Sequence, residues 1–167
     1  VATSTVASVR TVIVNAIKGI AQTDLGFAEA NGNVREYPLE AHHEEDLPNY
    51  MTAKVGNARV VRCWAVDVRG HDIPYALQLR QRRIYTIRIY AYYAKGVGGV
   101  SYLDLLNHAQ SVSGAIRSLS NNLGGTVNRI TSSTPLDIVE RTGLSVGKIW
   151  QGLMTYEAER ENPDYSD

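Results

Sequence analysis

The chain has one cysteine, one phenylalanine and five prolines in 167 residues, and its charges cancel, with seventeen Lys and Arg against seventeen Asp and Glu. Each shortage excludes something. The single thiol, Cys63, rules out an intramolecular disulfide framework and a cysteine-rich zinc site. With zero net charge, no chain-wide field draws the protein to nucleic acid or to an anionic membrane. No run of about eighteen apolar residues occurs, and no basic start leads into an apolar block with a small-residue cleavage site, so a soluble, unsecreted protein is expected. The length suits one domain, 1–167, with a real core.

Organisation can be read along the chain. Ser4, Ser8, Thr11, Asn15 and Lys18 recur at steps of three and four, and Val6, Val9, Ile13, Ala16, Ile17 and Ile20 form the complementary apolar stripe of an amphipathic helix. Its β-branched residues have weak helix propensity, so this helix needs something to pack against. From Gln22 to Asn57 the periodicity dissolves into a long polar loop holding a short strand or two, a kind of segment that tends to be functional or to order against a partner. Arg59–Arg69 alternates Val60, Trp64, Val66 and Val68 with Val61, Cys63, Ala65 and Asp67, and "RRIYTIRIYAYY" at 82–93 continues to about 94 as a second strand; an antiparallel pair is expected.

After the glycine break at 96–99, Ser101 with Asp104 resembles a capping box, and Leu105, Ala109, Val112, Ile116, Leu119 and Leu123 trace a long helix ended by Gly124-Gly125. Three candidate strands follow at 126–131, 136–142 and 147–161, and the tail 162–167 is expected to fray. The sum is an α+β domain, with a mostly antiparallel sheet flanked by two main helices and a long loop in the N-terminal half.

Few residues carry chemistry. Glu40, His42, His43, Glu44, Glu45 and Asp46 include every ligand type that a zinc or manganese site wants, but adjacent histidines cannot both turn to one metal on a regular strand, and no H-E-x-x-H register is present. A solvated acidic loop is the plainer reading. "GVGGVS" at 96–101 precedes a helix N-terminus where a phosphate could bind, yet Ser101 stands where a dinucleotide fingerprint has its third glycine, and no Lys-Ser/Thr pair follows. No nucleophile elbow or Cys-His signature marks a catalytic site. No catalytic residue, metal or cofactor is assigned.

Charge is segregated instead. Residues 59–88 hold seven arginines against Asp67 and Asp72, whereas the long loop and the C-terminus are acidic. This segregation can be satisfied inside one fold, or between copies through a heterologous contact that closes a ring. On the second reading, Arg62, Arg69, Arg82, Arg83 and Arg88 supply the basic side of a subunit interface. Glu44, Glu45, Asp46, Glu157, Glu159 and Glu161 supply the acidic side. Arginine, thirteen of the seventeen basic residues, and tyrosine are types that interfaces favour. A competing reading makes the same arginines, with Tyr85, Tyr90 and Tyr92, a single-strand nucleic-acid platform.

The layout resembles a known family. An N-terminal helix, a long loop, the strands "RVVRCWAVDVRG" and "RRIYTIRIYAYYAKG", the helix "SYLDLLNHAQSVSGAIRSL" and closing strands ending "IWQGLMTYEAE" are similar to the tail terminator proteins of long-tailed bacteriophages. The resemblance rests on the order of elements and on length. It implies a non-enzymatic virion protein of the tail and neck, assembled in the host cytoplasm. Such a protein is a homo-hexameric ring that caps the tail tube, ends its polymerisation and joins it to the head–tail connector protein. DNA would pass through the lumen without specific binding, with no membrane involved. Head-closure and other connector subunits share this size and texture.

Overall fold

The computed structural model describes residues 5–27, 33–36, 52–55, 57–74, 81–95, 100–144 and 147–161. Among these residues, two helices and six strands make an α+β fold. In chain order these are α1 (Val6–Lys18), β1 (Val34–Glu36), β2 (Thr52–Val55), β3 (Ala58–Pro74), β4 (Gln81–Ala94), α2 (Tyr102–Ser118), β5 (Arg129–Leu144) and β6 (Gly147–Glu161). Short 3₁₀ turns occupy Gln22–Leu25 and Leu123–Gly125.

Both helices start at reciprocal caps. The Thr5 hydroxyl accepts from the Ser8 amide at 3.0 Å, and the Ser8 hydroxyl accepts from the Thr5 amide at 2.8 Å. Ser101 and Asp104 do the same for α2, at 3.1 and 3.0 Å, as their spacing predicts. The α2 helix stops earlier than its apolar spacing suggests. Leu119 is its C-cap, Ser120 takes a positive φ of 65°, and Leu123 reaches the core from the turn beyond.

The sheet runs β1-β3-β4-β6-β5, with β2 also on β3. All pairings are antiparallel except β1 with β3, so the sheet is mixed but mostly antiparallel, as expected. The β3–β4 ladder is continuous from Arg62↔Tyr93 to Pro74↔Gln81. Instead of separate strands at 126–131 and 136–142, one long edge strand runs through Pro135. An edge strand needs no ladder partner for the missing N–H, and bulges between Ile130/Ser132 and Thr134/Asp137 absorb the irregularity. Within the expected loop 22–57, a 3₁₀ turn, β1 and β2 are present. Residues 28–32, 37–51 and 56 of that loop, with Glu44, Glu45 and Asp46, lie outside the described residues, as does 162–167.

Side-chain alternation decides where the core sits. Trp64, Val66 and Val68 of β3, Tyr85, Ile87, Ile89, Ala91 and Tyr93 of β4, and Met154 and Ala158 of β6 lie on one face, in register. Against it pack Val9, Ile13 and Ile17 of α1 and Leu105, Val112 and Ile116 of α2, all at most 1% exposed. Each such side chain contributes about 2 kcal/mol by leaving water, enough to hold α1 despite its weak propensity. Both helices therefore share one face of the sheet. The other carries a smaller cluster of Val61, Cys63, Ala65, Tyr92 and Ile149.

Candidate functional site

The arginine-rich strand and the acidic C-terminal strand are neighbours in one sheet. β4 pairs with β6 so that Arg82 faces Glu161, Ile84 faces Glu159 and Thr86 faces Glu157. Much of the segregated charge is thus satisfied inside the chain. Glu159, 7% exposed, accepts from Arg82 Nη1 at 3.2 Å and from Arg129 Nε at 2.6 Å, tying β4, β6 and β5 together. Arg83, 8% exposed, grips Asp72 with two donors at 2.7 and 3.3 Å. That pairing holds the Asp72 carboxyl below its ordinary range and pushes Arg83 up.

Arg62 lies deepest of all. Alternation puts it on the core face two residues before Trp64, and it is 5% exposed. Its guanidinium donates to the Gly26 carbonyl and stands 5.6 Å from the centre of the Tyr93 ring. Burial lowers its pKa. Around it, Trp64 Nε1 donates to the Tyr93 hydroxyl at 2.7 Å, and that hydroxyl donates to the Leu25 carbonyl at 2.9 Å. The His108 ring stands 5.3 Å from the Tyr93 ring, and its Nδ1 is buried without a hydrogen-bond partner among the described residues. Burial first, and the Arg62 charge second, depress the His108 pKa. This cluster pins the turn at 22–27 to the sheet. Reading the strand's alternation outward from Trp64 would have placed Arg62 there, whereas counting its charge put it on the surface.

Arg62, Arg83 and Glu159, expected at a subunit interface, are thus buried with partners in their own chain. Arg69, Arg82 and Arg88 among these arginines, and Glu157 and Glu161 among the described acids, stay exposed or half-buried. The Arg69 side chain is 69% exposed and touches Asp67 at 3.1 Å. Arg88 is half-buried on the face away from the helices, in a row with Thr155 and Thr134. Glu157 and Glu161 are exposed.

The tyrosines divide between the two faces. Tyr85 is fully buried in the main core, and Tyr92, 7% exposed, stacks on half-buried Tyr90 at 6.2 Å. Two of the three rings proposed for base stacking therefore have no open face for a base. At the N-terminus of α2, the Asp104 carboxylate accepts from the Ser101 amide and hydroxyl, and these bonds hold its pKa low. The chain's own anion thus stands where a phosphate would bind. His42 and His43 lie outside the described residues, and no group of three metal-ligating side chains occurs among those described.

Two further exposed features stand out. Tyr102 and Leu103, 51% and 64% exposed, open α2 beside Trp150, whose ring lies 5.8 Å from Tyr102 and is covered by Lys95 at 4.4 Å. On the outer strand, Val139 is 54% exposed. No protein-family model matches the chain, and a search of curated proteins finds no match.

Proposed function

We propose that this chain is a structural, non-enzymatic virion protein that forms a homo-hexameric ring, caps a phage tail tube, ends its polymerisation and joins it to the head–tail connector protein. The observation that carries this reading is the difference between the two faces of the sheet among the described residues. Both helices and the main core occupy one face. The other face presents Arg88, Tyr90, Gln151, Leu153 and Thr155, all half-buried, and no described helix lies on it. A surface of arginine, tyrosine and leucine, poor in lysine, has the composition of a protein interface. The order of elements that resembles the tail terminators adds support, as do exposed Glu157 and Glu161 as acidic partners for Arg69 and Arg88 of a neighbouring copy.

The proposed ring passes DNA without reading it, which a neutral chain permits. Light scattering on the purified protein, with negative-stain images of the same fraction, tests the reading. A ring of about six chains of 18.4 kDa is expected, weakened by Arg88→Glu. Mass and images that show no ring at any concentration overturn it.

A further inference from the structure

We infer that Asp137–Arg141 of β5 is a self-pairing edge, to which a second copy of the chain adds antiparallel about a two-fold axis through Val139. β5 is the outermost strand of the sheet, and only β6 pairs with it among the described residues. A strand edge is a row of N–H and C=O groups open to another chain, and proteins blunt it with bulges, prolines and charges. Here the first half of β5 is blunted by two bulges and Pro135. The run Asp137, Ile138, Val139, Glu140, Arg141 is not, since it keeps unbroken register with Leu153 to Ile149.

The order of side chains in that run identifies the occupant. Asp137, Val139 and Arg141 point to the same face, all are exposed, and neither charged group has a partner within the described chain. In antiparallel pairing centred on Val139, each Asp137 stands opposite Arg141 of the second copy, and the two Val139 side chains meet on the axis. One five-residue stretch thereby satisfies two acids and two bases and covers two exposed valines. Glu140, on the other face, is already held by Lys95. Parallel pairing, or a slip of one residue, breaks this match, so the register is specified by the sequence itself. The contact is isologous, unlike the head-to-tail contacts of a ring, and does not depend on the ring reading. It joins two sheets edge to edge, pairing free subunits or linking two assemblies.

Charge swapping tests it. Asp137→Arg or Arg141→Asp alone sets like charges opposite each other twice, and should weaken the dimer seen by sedimentation velocity about tenfold. The double swap restores opposite charges in every pair and should return the constant to within about twofold of the parent. Because both positions are solvent-exposed, the variants should fold, which circular dichroism checks. In a second measurement, Val139→Cys should cross-link rapidly with a short bis-maleimide. Thr134→Cys, on the same face but far from the axis, should not. Buried Cys63, its thiol pushed up to about 12, stays silent. The inference is overturned by a parent protein without dimer at millimolar concentration, by a double swap no better than the single reversals, or by equal cross-linking at 134 and 139. Arg88→Glu acts on the ring and Asp137→Arg on the pair, so each reading can fail alone.

Discussion

Tyr93→Phe removes one oxygen from the interior and nothing else. The ring, fully buried, keeps its place in the core, but its hydroxyl joins two groups that have no access to water: it accepts from Trp64 Nε1 at 2.7 Å and donates to the Leu25 carbonyl at 2.9 Å. Losing it orphans a buried indole N–H and weakens the hold on the 22–25 turn. An unsatisfied buried donor costs about 1–3 kcal/mol, and the lost bond to the carbonyl about 1 kcal/mol more, so the expected destabilisation is about 2–4 kcal/mol. For a chain of this length that lowers Tm by roughly 5–15 °C. Urea titrations followed by circular dichroism measure it. The companion variant Trp64→Phe removes the donor too, so the double variant should fall short of the summed single effects by about 1 kcal/mol or more. A Tyr93→Phe protein within about 0.5 kcal/mol of the parent would refute the claim that this hydroxyl carries the pin, because that is the scatter of neutral substitutions.

Glu159→Gln leaves Arg82 and Arg129 without their shared anion at a buried position, and should cost about 1–3 kcal/mol in the same titration; a change under about 0.5 kcal/mol would mean that solvent already screens the clamp. His108 supplies a pH dependence. Its folded pKa lies below the ordinary 6.5 because it is buried beside Arg62, so the unfolded chain takes the proton first, and stability present above about pH 6.5 is lost as pH falls below it. The charged groups around it are Arg62, Asp104 and Asp24. His108→Gln should flatten the stability difference between pH 7.5 and pH 5.5, whereas Asp72, Asp104 and Glu140, whose pKa values are lowered from 3.8, 3.8 and 4.5, govern the more acidic range. An unchanged slope in His108→Gln would assign the effect elsewhere.

Much of the local structure follows from sequence because its causes are local. The period of α1, the capping pair Ser101 and Asp104, and the two-residue alternation of "RRIYTIRIYAYY" depend on neighbours within one or two turns, and each is present in the fold. Alternation also separates Tyr85, Ile87, Ile89, Ala91 and Tyr93 from Arg88, Tyr90 and Tyr92, as observed. What alternation leaves open is which strand lies beside which. Only the tertiary structure decided that the acidic C-terminal strand lies beside the arginine strand, that β1 runs parallel to β3, and that Pro135 falls on an edge where a strand can pass through it. The first of those choices turned Glu159 from a candidate contact between copies into an ion-pair partner within one chain, and the β3–β4 register did the same for Arg83 through Asp72, because a charge finds its partner through space and not along the sequence. Arg62 was decided by both. Strand period assigns its face, but only the packing of α2 and the 22–27 turn over that face buries it against Gly26, Tyr93 and His108.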